Sequence, residues 1–293
     1  AKVEFPDFKS YATYGNKFAN KDDWRRDNVN KLIESLGKQI KQEKPYVKFG
    51  ISPFGVWRNA SKDPEGSHTN GGQTNYDDLF ADVIMWQKNG WIDYLLPQLY
   101  WEIGHRAVDY HTLLDWWAQH AYNRHMYIGH GLYKIGTDPK LCWRSLTEIT
   151  NQIKALRENN KVQGSAFYSA NAFKKNFYDL NQTMQTKWYP TPALLPQMPW
   201  LAHKKLPTPK LFAQYDREGQ RVLQWSVEGD EQLDLQFAVY KMETNQENKQ
   251  QKTLIYVTRN TKYVVEKDSK KYKYMVTSLD RLHNESKESN VVE

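Results

Sequence analysis

The sequence predicts an α/β region over residues 1–200 and a small all-β sandwich over residues 201–293. Three observations lead to this fold class. Apolar, strand-like runs alternate with helix-like runs in the first region, six prolines lie between residues 185 and 209, and only short alternating strand patterns follow them. Strands that alternate with helices are typical of a parallel sheet with helices packed on it.

Four apolar runs of the first region are predicted to be strands. They are VKFGISP (47–53), IDYLLPQLYW (92–101), HMYIGHGLY (125–133) and VQGSAFYSA (162–170). Each run is nearly continuous in apolar residues, as expected of parallel strands that are covered on both faces.

Four segments are predicted to be helices because apolar side chains recur in them at helical spacing. They are 23–42, which begins at an aspartate, 75–90, 109–124 and 145–159. In the second of these helices, we expect Asn75 to be the N-cap and Gly90 to end the helix.

The pattern changes after the proline-rich segment, which we interpret as an extended linker. The strand-bearing segments are KLFAQYDREGQRVLQWSVE, LQFAVYKME, KTLIYVTRNTKYVV and KYKYMVTSLDRLHNES. No helical period competes with these short alternating strands, which therefore predict an immunoglobulin-like sandwich. The polar tract at 244–252 is expected to be a hairpin loop.

The composition restricts the classes of partner. The formal net charge of +7 is dispersed along the chain, so we expect no nucleic-acid partner. No apolar run is long enough to span a bilayer. The single cysteine, Cys142, excludes an internal disulfide and a cysteine zinc site. The histidines show no metal-ligand spacing, and we expect neither a metal nor a cofactor.

Aromatic, amide and charged residues gather where the four predicted strands end. Such edges carry the reactive groups of parallel α/β folds. The candidates for substrate binding are Trp57, Arg58 and Asn59 after the first strand, Gln98, Tyr100 and Trp101 in the second, His130 and Tyr133 in the third, and Tyr168 in the fourth. Aromatic rings next to hydrogen-bonding groups suit a sugar, which has apolar C–H faces and a polar rim.

Glu102 is the one carboxylate that directly follows any of the four predicted strands. It is the candidate catalytic residue, with an exposed loop carboxylate as the alternative interpretation. A glycosidase normally uses two carboxylates, and these strand ends supply one. Trp57 and Trp101 also suit a packing role, and Tyr100 and Trp101 face opposite sides of a regular strand, so one of the two is expected in the core.

Long motifs of the first region resemble the glycosyl-hydrolase-like family ten. They are FGISPFGVWRN, DWRRDNVN, YDDLFADVIMWQKNGWIDYLLPQLYWE, LLDWWA and MYIGHGLYKIG, within residues 20–200. The tail, with VLQWS, FAVYK and YKYMVTSLDRLHNESKES, resembles a fibronectin type III module.

The resemblance implies a (β/α)₈ barrel, which needs about 250 residues. Only four βα units precede the linker, so the chain is expected to hold the C-terminal half of a TIM-type barrel. The second catalytic carboxylate would then lie upstream of residue 1. We expect either this missing N-terminal half or a second copy of the chain to cover the open half barrel.

The resemblance also implies a glycoside hydrolase that acts on a bacterial or dietary polysaccharide, with peptidoglycan glycan strands among the candidates. A non-catalytic carbohydrate-binding protein is the alternative, and an adhesion or scaffold module ranks third. We expect a periplasmic, cell-surface or extracellular location, reached through a signal peptide that this sequence does not contain.

Overall fold

The computed structural model describes residues 4–201, 204–228, 234–244, 250–266 and 272–293. Contacts between residues divide the chain into two compact units, Ala1–Asn181 and Gln182–Glu293, which we call the α/β unit and the β unit. The boundary near residue 200, inferred from composition, stays a prediction. Most of the expected hairpin loop, residues 245–249, lies outside the described residues.

The α/β unit contains one parallel sheet of four strands in the order β1-β2-β3-β4. The strands are β1 Gly50–Ile51, β2 Tyr94–Leu95, β3 His125–His130 and β4 Gly164–Phe167. Tyr94 lies opposite Gly50 on one side and His125 on the other, which fixes the register of the first three strands. The mixed α/β class with a parallel sheet is therefore confirmed.

The strands are shorter than the apolar runs that predicted them. β2 covers only two residues of the run 92–101, and Pro97 within that run has no backbone N–H to donate to a neighbouring strand. Parallel pairing resumes directly after the proline, where Gln98 bridges to Phe54 on one side and to Gly129 on the other. The sheet thus extends past Pro97 to the edge where the predicted site residues begin.

In the described part of the α/β unit, helices alternate with the strands along the chain: two precede β1, four lie between successive strands and two follow β4. They are α1 Phe8–Tyr14, α2 Lys21–Glu43, α3 Asn75–Asp78, α4 Val83–Lys88, α5 Tyr110–Gln119, α6 Thr147–Glu158, α7 Asn171–Lys175 and α8 Leu180–Thr183. Other helical turns also occur in the described residues. They are the 3₁₀ turns Leu132–Lys134, Leu141–Trp143 and Phe177–Asp179 and the π turn Met184–Trp188. α2 begins earlier than expected, because Asn20 accepts the backbone N–H of Asp23 at 2.9 Å and caps the helix.

The predicted helix 75–90 is two short helices, α3 and α4. Phe80 between them has a φ of 54°, a left-handed conformation that no α-helix can contain. The N-cap of α3 is Thr74 and not Asn75. The Asn75 side chain instead accepts the backbone N–H of Phe54 and donates to the carbonyl oxygen of the same residue. Asp82 caps α4 by accepting the N–H of Met85 at 3.2 Å.

The core of the α/β unit lies between the sheet and the helices. Trp117 of α5 is fully buried and donates its indole N–H to the carbonyl oxygen of Gly55 at 2.8 Å. Trp116 packs beside it, with ring centroids 4.9 Å apart, and is 8% exposed. Met126 and Ile128 of β3 belong to the same core cluster and are completely buried. α5 is therefore fixed against the sheet by its two tryptophans.

The β unit consists of two antiparallel three-stranded sheets, in the orders β5-β6-β9 and β10-β7-β8. The strands are β5 Lys210–Tyr215, β6 Arg221–Ser226, β7 Gln236–Thr244, β8 Gln250–Thr258, β9 Lys262–Val264 and β10 Lys273–Leu279. Leu211 and Trp225, which face each other across the first sheet, pack with Val239 and Val276 of the second. The two sheets thus enclose one apolar core.

The proline-rich segment packs on the β unit. Residues 192–198 form neither helix nor strand. The backbone N–H of Leu195 donates to His283 Nδ1 at 2.9 Å, and Leu194 packs against the buried side chains of Ala238 and Leu279.

Candidate active site

The candidate site lies at the carboxyl edge of the parallel sheet. Gln98 stands in the middle of this edge, between Phe54 and Gly129, and donates its side-chain N–H to Ser52. Residues 100–102 follow directly. Because parallel strands end at the same edge, the ends of β2, β3 and β4 lie side by side.

Three predicted binding residues form one aromatic cluster, the tyrosine platform, made of Tyr100, Tyr133 and Tyr168. The Tyr100 and Tyr168 rings stack with centroids 5.7 Å apart, and Tyr133 meets them edge-on at 6.0 and 5.9 Å. Tyr168 is 58% and Tyr133 43% exposed. The platform therefore presents aromatic surface to solvent from three neighbouring strand ends.

A glycine and a backbone hydrogen bond hold the platform together. A Cβ on Gly131 would lie 3.2 Å from the Cβ of Tyr100, so a larger residue would crowd this ring. The N–H of Tyr133 donates to the carbonyl oxygen of Tyr168 at 3.1 Å. Burial, followed by the neighbouring tyrosines, raises the pKa of Tyr100 to about 12, and its hydroxyl stays protonated at neutral pH.

Glu102 lies on a backbone segment that α6 holds from both sides. Gln152 donates its side-chain N–H to the carbonyl oxygen of Trp101 at 3.0 Å. Glu148 accepts the N–H of Ile103 at 2.8 Å, and Gln152 also donates to Glu148 at 2.8 Å. These two α6 residues are one helical turn apart, so both reach the segment together. The position of Glu102 is consequently fixed.

The carboxylate of Glu102 is mostly buried and is paired with a lysine. Lys140 donates to Glu102 Oε1 at 2.5 Å, whereas Oε2 is buried and has no hydrogen-bond partner among the described residues. Burial alone would raise the pKa of Glu102, but the hydrogen bond from Lys140, a backbone hydrogen bond and the positive charges of Lys140 and His105 together lower it. Glu102 is therefore ionised at neutral pH.

The residues predicted after the first strand are already engaged within the protein. Trp57 is 5% exposed and stacks on Trp116 at 5.7 Å. Arg58 forms ion pairs with Asp77 at 2.9 Å and with Asp63 at 2.7 Å. This geometry gives Trp57 a packing role, and Arg58 joins the loop at Asp63 to helix α3. The binding roles of both residues stay predictions.

Asn59, Trp101 and His130 have equally definite partners. Asn59 accepts the N–H of Gly71 at 2.8 Å and donates to its carbonyl oxygen at 2.9 Å, which fixes the intervening loop. Trp101 packs edge-on against Phe54 at 5.6 Å and against the core cluster, whereas Tyr100 contacts the other two tyrosines of the platform. His130 is fully buried, with one ring nitrogen 3.0 Å from Gln152 and the other 3.0 Å from Ser165.

Sequence reasoning did not identify Lys140, Glu148 or Gln152 as parts of the site. Lys140 belongs to the loop between two 3₁₀ turns, for which the sequence offers no spacing rule. Glu148 and Gln152 are the buried polar residues of an otherwise regular amphipathic helix. Two polar residues at i and i+4 on the apolar face of α6 are the signal that could have identified them.

The described residues offer neither a metal site nor a membrane-spanning helix. No group of three or more His, Cys, Asp or Glu side chains in these residues is arranged to hold a metal ion. Within the described part of the chain, no helix combines the length and the apolar character needed to cross a membrane.

Comparison with known proteins agrees with the resemblance of the motifs. The chain is 44% identical to "Glycosyl hydrolase YngK" of Bacillus subtilis over 99% of its own length and 58% of that protein. It is also 44% identical to "Glycosyl hydrolase DigH" of Escherichia coli K12, over 62% of the chain and 42% of that protein. The chain thus spans about half the length of the curated relatives it matches.

Among solved structures, the sixth fibronectin type III domain of a human fibronectin type III domain containing protein matches 31% of this chain. The match covers 86% of that domain at 14% identity, with a TM-score of 0.24, which gives no support for a shared fold. The family "Glycosyl hydrolase-like 10" matches residues 1–145. Over these residues, the chain is similar to the glycosyl hydrolase-like 10 family.

Proposed function

We propose that this chain takes part in the hydrolysis of O-glycosidic bonds in a polysaccharide, with Glu102 as a catalytic carboxylate. One observation carries the proposal. An ionised carboxylate, held from both sides by α6, lies two residues from an exposed tyrosine platform at the carboxyl edge of a parallel sheet. The similarity of residues 1–145 to the glycosyl hydrolase-like 10 family supports this chemistry.

The tyrosine platform is the proposed binding surface for the sugar. An aromatic ring covers the apolar C–H face of a sugar, and a neutral tyrosine hydroxyl can donate a hydrogen bond to the sugar's rim. Tyr168 and Tyr133 are exposed enough for such contacts. Gln98, at the same edge, adds an amide, although its N–H already donates to Ser52.

Glycoside hydrolysis normally needs a second carboxylate on the other side of the scissile bond. In the proposed mechanism, one group protonates the leaving oxygen while the other acts as base or nucleophile. Glu102 fills one role, and a carboxylic acid outside the described strand ends fills the other. We place it in an N-terminal barrel half that precedes these four βα units.

The proposed N-terminal half would complete a TIM-type barrel. Among the described strands, β1 and β4 each pair on one side only. α2 also exposes Leu32 by 63% and Leu36 by 40%, one helical turn apart on one face. A missing barrel half would cover both features, and a second copy of the chain is the alternative occupant.

Three further proposals concern the fold of the β unit, the substrate and the location of the protein. The sheet orders β5-β6-β9 and β10-β7-β8 support a fibronectin type III-like module in the β unit. DigH and YngK are named glycosyl hydrolases, and a glycan of the bacterial cell envelope, including peptidoglycan strands, is our proposed substrate. A periplasmic or extracellular location would give access to it.

Non-catalytic glycan binding is the second candidate function. The observation that favours it is the ion pair itself, because Lys140 already neutralises Glu102. A protein of this kind would use the tyrosine platform and would release no new reducing ends.

The substitution Glu102→Gln in the full-length protein tests the proposal. We expect release of reducing ends from polysaccharide, including peptidoglycan glycan strands, to fall by about 100-fold or more, since acid–base groups contribute on that order. Glycan retention on an affinity gel should persist. Glu158→Gln, on the exposed end of α6, is the matched control and should leave hydrolysis unchanged. Equal hydrolysis by the Glu102→Gln variant and the parent would remove Glu102 from the mechanism, and binding without any hydrolysis by the parent would favour the second candidate.

A further inference from the structure

The ion pair of Glu102 joins a fixed, buried carboxylate to a lysine that comes from the surface. The Glu102 side chain is 12% exposed and that of Lys140 is 48% exposed, with 2.5 Å between Nζ and Oε1. Glu148 and Gln152 hold the backbone on both sides of Glu102, so the side chain starts from a fixed position, and its carboxylate is mostly buried there. Its charge must therefore be compensated where it lies.

Among the charged groups that the structure describes around Glu102, Lys140 is the one that compensates the charge of its carboxylate. His105, in the same loop, contributes a weaker positive influence. Asp138 in the loop that carries Lys140 and Glu148 of α6 are negative, and Lys134 pairs with Asp138 at 3.5 Å. Cys142 lies within the influence of the same carboxylates, and its thiol pKa is raised, first by burial and then by them. In the described part of the chain, Lys140 is the cation in direct contact with Glu102.

We propose that Lys140 is a positioning residue that keeps Glu102 ionised, so that Glu102 accepts a proton or attacks the sugar and does not act as the acid. The inference rests on the function proposed above and assigns a role within it. Lys140 occupies Oε1, whereas Oε2 is buried without a partner in the described residues.

Hydrolysis of the glycosidic bond needs one group besides Glu102, a carboxylic acid that donates a proton. When Glu102 acts as base, its carboxylate takes a proton from water while the water oxygen bonds to the anomeric carbon. The bond from this carbon to the glycosidic oxygen breaks, and that oxygen takes a proton from a separate carboxylic acid. No oxidant or reductant is needed.

Carboxyl titration of the Lys140→Met variant tests the inference without any need for activity. The full-length protein is labelled with ¹³C at the glutamate side-chain carboxyl carbons, and the signal of Glu102 is assigned by its loss in Glu102→Gln. We expect Glu102 to titrate at a higher pH in Lys140→Met than in the parent, and Lys140→Arg to restore the parent value. Lys154→Met, which removes an exposed lysine from α6, is the control for the loss of one positive charge.

Hydrolysis is measured in the same variants as a second readout. Below the pKa of a catalytic carboxylate, the rate falls about tenfold per pH unit, and this fall should begin at a higher pH in Lys140→Met. An unchanged Glu102 titration in Lys140→Met, or the same shift in Lys154→Met, would overturn the inference. Failure of the parent to hydrolyse any glycan would count against the proposed function only, because the carboxyl titration decides the role of Lys140 on its own.

Discussion

His130 illustrates how one residue can satisfy a sequence rule and still have a different role. Glycines on both sides of it suggest that a ligand could approach. In β3, however, residues 126, 128 and 130 share one face, and all three are fully buried. The ring of His130 lies between Tyr110 and Phe167, with centroids 5.9 and 5.5 Å away. It is a core residue whose two nitrogens are both hydrogen-bonded.

We expect His130 to make the protein less stable in mild acid. Burial lowers its pKa from 6.5 to about 4, and the hydrogen bond that His130 donates to Gln152 Oε1 acts in the opposite direction. Between these two values, the unfolded chain binds a proton that the folded chain does not, so stability falls as pH drops through this window and amounts to a loss of about 3 kcal/mol. Urea unfolding of the parent and of His130→Gln at pH 7 and pH 4 measures the difference. If the free energy of unfolding of the parent fell no more between pH 7 and pH 4 than that of His130→Gln, the prediction would be contradicted.

The same scale shows which part of the site the sequence predicts. Tyr100, Glu102, Tyr133 and Tyr168 of the candidate site were predicted from the rule that parallel strands end at one edge, which needs only the strand positions. Their roles stay predictions. Lys140 could not be identified, because it reaches Glu102 across 38 residues from a loop without periodicity. Long-range side-chain pairs of this kind depend on packing that the local pattern does not contain.

At the scale of an element, α5 links the packed core to the candidate site. Its tryptophans pack on the sheet, and its N-cap, Asp109, lies at the end that faces the Glu102 segment. Asp109 accepts the N–H of Thr112 at 2.9 Å and also that of Gly104 at 2.6 Å. One carboxylate therefore starts the helix and holds the loop that follows Glu102.

Replacing the N-cap Asp109 should weaken both the start of α5 and the loop that follows Glu102. We expect Asp109→Ala to lower the free energy of unfolding by about 1 kcal/mol, since two backbone N–H groups lose their acceptor. Hydrogen exchange should also become faster at Gly104 and in the first turn of α5. Asp115→Ala, on the exposed middle of the same helix, is the control and should change neither quantity. Unaltered exchange at Gly104 in Asp109→Ala would show that the loop does not depend on this cap.

The elements also show where pattern-based prediction stops. The period of residues 75–90 is helical throughout, yet the helix breaks at Phe80, where φ is positive. Phenylalanine disfavours this conformation, so its residue type gives no warning. By contrast, α6 lies within the predicted segment 145–159, because nothing inside it competes with its apolar face.

At the scale of the whole molecule, the chain has two compact units with separate cores. Trp225 is buried in the core of the β unit, and Trp117 in the core of the α/β unit. Each unit is large enough to unfold cooperatively by itself. Independent cores predict independent thermal transitions.

Calorimetry of two matched variants tests this independence. Trp225→Ala removes a buried indole from the β unit and should cost about 3–5 kcal/mol. For a unit of this size, the transition of the β unit should fall by roughly 10 °C or more, while the other transition stays in place. Trp117→Ala should have the converse effect, lowering only the transition of the α/β unit. If both variants instead lowered one common transition, the two units would be a single cooperative structure, and the division after Asn181 would have no thermodynamic meaning.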